Sequence, residues 1–107
     1  MKRTLLATAA LLATTAAYAE YPEKPVTIVV PFPAGGPTDK VARDFGEVLR
    51  KGLNGQTVII DNIGGAGGTL GAAKVARATP DGYTVLLHHI GMATSPALYR
   101  NLPFKTL

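Results

Sequence analysis

Residues Val26–Asp39 read VTIVVPFPAGGPTD, and this stretch decides how the rest of the chain is organised. Val26 to Val30 is β-branched at every position and apolar at all but Thr27, the pattern of a strand buried on both faces and so of a parallel sheet covered by helices. Pro31 and Pro33 end the strand, and Gly35-Gly36 form a tight loop that opens a helix. A strand feeding a glycine turn and a helix start gathers free N–H groups and the positive end of the helix dipole at one point. Such a loop either holds an anion or is a bare strand-to-helix turn.

Outward from this loop, the spacing predicts a helix with Thr38 as N-cap and Asp39 as an acid in its first turn. Val41, Phe45, Val48 and Leu49 recur at helical spacing and form its expected core face, with Lys40, Arg43, Asp44 and Glu47 on the solvated side. Gly52 and Asn54-Gly55 end the helix. Thr57–Asp61 (TVIID) is a second short strand, followed by a loop with five glycines between Gly64 and Gly71, and by an alanine-rich helix over about 70–78. Tyr83–His88 (YTVLLH) is a third strand, and Ser95-Pro96 reads as the N-cap and first position of a last short helix. The order is β-α-β-α-β-α. Right-handed crossovers make the three strands parallel and bring all three strand-to-helix loops to one edge, where an open α/β sheet binds ligands.

At the front, Lys2-Arg3, the uncharged run Thr4–Ala16 and Ala17-Tyr18-Ala19 have the three parts of a secretory leader, with cleavage expected after Ala19. The apolar run is shorter than the ~20 residues of a spanning helix. Of the 107 residues, 11 are basic and 7 acidic, and removing residues 1–19 leaves nine basic residues and a net +2. These charges are scattered, which argues against nucleic acid as a partner. There is no cysteine, so neither disulfides nor thiolate metal sites are available. The expected domains are a signal peptide over 1–19 and one partial α/β unit over 20–107. The run Leu102–Leu107 closes no element, and the chain is expected to be a truncated piece of a longer reading frame.

The glycine-rich second loop has Gly65 and Gly67 at dinucleotide-fingerprint spacing, but the third glycine, Gly71, falls one residue late, and no P-loop lysine follows. Close helix–strand packing is the simpler role. His88 and His89 are neighbours on a strand end and point to opposite faces, so they do not share a metal. One His is expected in the core, the other at the sheet edge. No nucleophile–base pair or metal cluster stands out, which argues against an enzyme.

Three motifs in order and spacing, PFPAGGPTDKVAR, VIIDNIGGAGGTLGAAKVARATPDGYTVLL and HIGMATSPALYRNLPF, closely resemble the extracytoplasmic solute receptors of the tripartite tricarboxylate transporter class, the Bug family, from about Tyr21 onward. The resemblance implies a periplasmic, non-enzymatic receptor without a cofactor. Such a receptor has two α/β lobes around a cleft, of which this chain would carry part of the first and lack the second. It implies a small carboxylate-bearing solute as ligand and a membrane permease as partner. It further implies that Phe32 walls the pocket, that Ala34, Gly35, Gly36 and Thr38 face the carboxylate, and that Asp39 holds water or an amino group. His89, Gly91 and Thr94 would set selectivity, and Asn62, Gly65, Gly67 and Gly68 would shape the neighbouring loop. A nucleotide-binding half-domain and a fragment without function stay open as alternatives.

Overall fold

The computed structural model describes residues 20–106, so the expected leader, its cleavage site and the last residue lie outside the described residues. Three parallel strands, β1 (Val26–Val30), β2 (Val58–Asn62) and β3 (Thr84–Leu86), form one sheet in the order β2-β1-β3. Ile28 of β1 stands level with Ile60 of β2 and Val85 of β3. Helix α1 (Pro37–Gly52) joins β1 to β2, α2 (Thr69–Arg77) joins β2 to β3, and α3 (Gly91–Leu98) follows β3. The β-α-β-α-β-α order and the parallel sheet expected from the sequence are both present. None of the helices among the described residues is long and apolar enough to cross a membrane.

The central strand supplies the core. Val26, Ile28, Val29 and Val30 are all buried, because β1 has a strand on each side and a helix over each face. On one face Ile28, Val30 and Ala42 form a cluster, with Leu49, Val58, Ile60, Val85 and Leu87 packed around it. On the other face α2 lies over β1 and β3 and buries Ala72 and Ala73. Gly71 explains how close this helix comes: a Cβ there would lie 2.6 Å from Pro31 Cβ and 3.0 Å from the Ile63 carbonyl oxygen. The glycine that is late for a dinucleotide fingerprint is therefore where the helix meets the end of β1.

Helix α1 departs from its expected orientation. Val41, Phe45 and Val48 are 57%, 50% and 67% exposed, while the strip against the sheet is Asp39, Ala42 and Gly46, with Leu49 half-buried. The reason is size. Ala42 and Gly46 let the helix settle close to the sheet, with the Cβ position of Gly46 only 3.4 Å from Val58 Cγ1. The larger apolar residues, one position round the helix, are turned to the side. The cap also differs: Gly36 is the N-cap, Pro37 occupies the first turn, and no side chain caps the helix. Thr38 thus lies inside the helix with its hydroxyl uninvolved in capping. At the other end of the chain, α3 begins at Gly91 rather than Ser95. Met92, Ala93 and Thr94 already donate to His89 and Ile90 carbonyls, and buried Ser95 donates its hydroxyl back to the Gly91 carbonyl, so Pro96 falls inside the helix.

Asp39 is the buried charge that sets the loop's shape. It is 3% exposed, and both carboxylate oxygens are taken up. Oδ2 accepts from Arg43 Nε at 2.9 Å and from the Gly35 N–H at 3.0 Å, and Oδ1 accepts from Asn62 Nδ2 at 2.9 Å. Asn62 Nδ2 also donates to the Phe32 carbonyl at 3.2 Å. One carboxylate therefore ties the first loop, α1 and the end of β2 together. The Arg43 hydrogen bond, with those from Gly35 and Asn62, holds the Asp39 carboxyl at about 2, below its ordinary 3.8.

Because the folded form holds Asp39 below its ordinary value, its contribution is complete above that value and fades as pH falls toward about 2. In urea unfolding across that range, the wild-type midpoint should drop with acid; Asp39→Asn should start lower at neutral pH and show a flatter acid dependence. An unchanged acid profile in the variant contradicts the clasp. Gly71→Ala should cost roughly 1–3 kcal/mol by forcing α2 off Pro31. Gly46→Ala, which meets only ordinary contacts, should be neutral or gain up to about 1 kcal/mol from helix propensity.

Candidate functional site

All three strands point the same way, so the loops after β1, β2 and β3 meet at one edge of the sheet. There an open cavity of about 370 Å³ is lined by Phe32, Pro33, Ala34, Gly36, Pro37, Thr38 and His89. Its floor is the start of α1. Pro37 has no N–H, the Gly36 N–H closes a turn onto the Pro33 carbonyl, and among the described residues no partner takes the N–H groups of Thr38 or Asp39. Thr38 thus brings an unused backbone donor, a hydroxyl and the positive end of a 16-residue helix to the cavity wall. The Asp39 carboxylate, which would repel an anion, is turned inward and paired with Arg43.

The side wall is aromatic. Phe32 and His89 stack with ring centroids 4.4 Å apart, and His88 meets both rings edge-on, at 5.4 Å from Phe32 and 5.0 Å from His89. Nδ1 of His88 accepts from the His89 N–H at 2.8 Å, and Nδ1 of His89 accepts from the Gly91 N–H at 2.8 Å. Each neutral ring therefore carries its proton on Nε2. His89 presents its Nε2 N–H as a donor, while its Nδ1 is occupied by the Gly91 N–H. His88 Nε2 is buried without a hydrogen-bond partner. Burial, and then the neighbouring His89, push the His88 pKa below its ordinary value and favour the neutral ring. Gly68 leaves room for this ring: at φ +92 a Cβ would lie 2.6 Å from His88 Nε2 and 3.1 Å from Phe32 Cζ.

The structure sorts the residues singled out in the sequence into two groups. Phe32, Ala34, Gly36, Thr38 and His89 come together around the cavity. Gly35 and Asp39 lie behind it, bonded to each other, and Gly91 is buried with its Cβ position 2.8 Å from the His89 ring. Thr94 sits in the first turn of α3 with its hydroxyl on the Gly91 carbonyl, and it does not line the cavity. Asn62 holds the loop through Asp39 and Phe32, while Gly65, Gly67 and Gly68 carry the backbone through a short 3-10 turn into α2. Sequence reasoning missed Pro33 and Pro37 as cavity walls and Arg43 as the partner of Asp39. The i, i+4 spacing of Asp39 and Arg43 was the available signal for that pair. Among the described residues, no group of three or more His, Asp or Glu side chains could hold a metal ion.

Comparison with known proteins bears on what this edge is. Residues 41–107 match the family model described as the tripartite tricarboxylate transporter family receptor. A protein of Agrobacterium vitis, encoded in the TAR-I ttuE-ttuC' intergenic region, is 59% identical over 87 residues, covering 81% of this chain and 25% of that relative. The periplasmic binding protein BugD superimposes with a TM-score of 0.77 at 57% identity, over 80% of this chain and 28% of its own. MatC of Rhodopseudomonas palustris, solved with bound malate, gives 0.76 at 46% identity, over 80% of this chain and 29% of its own. The chain thus spans about a quarter of the length of the curated relative and somewhat more of the solved structures. With the family model matching well over half of its residues, the chain belongs to the receptor family of the tripartite tricarboxylate transporters.

Proposed function

We propose that this chain is part of the first lobe of a two-lobed periplasmic receptor that takes a small organic acid by its carboxylate for delivery to a membrane permease. The observation that carries this reading is the unused Thr38 N–H at the start of α1, on a cavity whose nearby Asp39 carboxylate is already neutralised by Arg43. A carboxylate placed there gains charge-assisted hydrogen bonds and the dipole of α1 without meeting a free negative charge. Phe32 and His89 wall the side, and the His89 Nε2 proton offers a further donor. Malate bound to MatC supports the carboxylate class, since that structure shares 46% identity and the same fold over this segment. The leader over 1–19 fits delivery to the periplasm, with cleavage after Ala19. In this role Asp39 is a positioning residue rather than a ligand contact. The receptor needs no cofactor and catalyses no reaction.

On this reading the 107 residues span only one wall of the cleft, so water reaches an acid bound to them from the open side and weakens its electrostatic contacts. Titration calorimetry of the 107-residue chain with malate should therefore give a Kd no tighter than about millimolar, near 4 kcal/mol of binding free energy. The malate dimethyl ester should not bind. Thr38→Val should lower the affinity about three- to tenfold, the loss of one hydrogen bond to a charged group. Equal binding of acid and ester contradicts the carboxylate reading, and micromolar binding contradicts the half-cleft account.

A further inference from the structure

His88 does not line the ligand cavity, yet its ring is packed against all three loops that meet at this edge. It meets Phe32 of the first loop edge-on at 5.4 Å and His89 of its own loop edge-on at 5.0 Å. From the second loop Gly68 gives way to it, since a Cβ there would stand 2.6 Å from His88 Nε2. One hydrogen bond then fixes how the ring is turned: Nδ1 accepts the His89 N–H at 2.8 Å, a side-chain acceptor closing a local turn. The same chemistry is repeated one step on, where His89 Nδ1 accepts the Gly91 N–H at the first position of α3. These two bonds in series set the path from the end of β3 into α3. They also place the His89 ring, which lies on Phe32 with centroids 4.4 Å apart.

We infer that His88 is a positioning residue for the cavity: by accepting the His89 N–H on its Nδ1, it holds the His89 ring against Phe32 as the cavity's side wall. Only a neutral ring can do this, because a protonated Nδ1 is a donor. The surroundings keep it neutral. Nε2 is buried without a hydrogen-bond partner, so a positive charge on the ring would go uncompensated. The ion pairs among the described residues each join a Lys or Arg to an Asp or Glu, and none places a carboxylate beside either imidazole. A side chain that merely filled the space between the loops would need volume and no acceptor. The two roles therefore rank substitutions in opposite order. Asn carries its amide oxygen where His carries Nδ1, with less volume. Gln is nearer to His in size but carries its oxygen one bond further out, at the Nε2 position.

NMR of the 107-residue chain and its His88→Asn and His88→Gln variants tests this, first without ligand. Cross-relaxation between the Phe32 and His89 rings reports the stack, and the amide of buried Ile28 reports that each chain is folded. Wild type and His88→Asn should show the ring contact. His88→Gln should lose it while the Ile28 amide stays in place. Malate is then titrated and the Thr38 amide followed, and His88→Gln should bind about three- to tenfold more weakly than His88→Asn, the size of one hydrogen bond. The malate effect rests on the carboxylate reading, and the two measurements separate the failures. A wild-type Thr38 amide indifferent to malate contradicts that reading, while the ring contact in the three ligand-free chains still decides the role of His88. The inference is overturned by a contact that is equal in all three chains, lost equally in both variants or kept better by Gln than by Asn. Equal malate affinity of the two variants overturns it as well.

Discussion

The structure depends on one buried carboxylate. Asp39 is almost fully covered, yet every hydrogen bond it needs comes from a different part of the chain: the Gly35 N–H, the Arg43 guanidinium and the Asn62 amide. A buried carboxylate without partners is costly, so the fold that satisfies this one fixes the path of the first loop. With Gly35 pulled onto Asp39, the start of α1 faces the cavity with the Thr38 N–H unused. The same contact turns the negative charge away from the cavity and cancels it with Arg43. On the carboxylate-receptor proposal, a loop that attracts an anion while carrying an aspartate thus resolves the electrostatic conflict by geometry.

Much of this edge was legible in the sequence because its signals are local. The continuous β-branched run Val26–Val30 needed strands on both sides, and the proline and glycine punctuation located the loops. What was illegible depended on contacts between distant elements. Which side of α1 meets the sheet was decided by Ala42 and Gly46, whose small size allows close approach, while hydrophobicity alone favoured Val41, Phe45 and Val48. The partners of Asp39 were hidden for the same reason: its link to Asn62 spans 23 positions and belongs to tertiary structure. Pro96 suggested a helix start by its usual preference, but the Ser95 hydroxyl and the His89 carbonyl began the helix earlier.

The aromatic wall and the exposed stripe of α1 are packed very differently. Phe32, His88 and His89 form a firm side wall in which both histidines are held in one tautomer, so this half of the cavity is organised before any ligand arrives. Beyond it, Val41, Phe45 and Val48 remain in water.

The central claim is that the loop held by Asp39 offers its backbone donors to a carboxylate. Mapping backbone amide shifts by NMR during a malate titration tests it most directly. The account predicts that the Gly36, Thr38 and Asp39 amides move together and saturate on one curve, and that Asp39→Asn, with the loop released, weakens that curve. Amides that stay still while malate shifts residues elsewhere, or shifts none at all, contradict it.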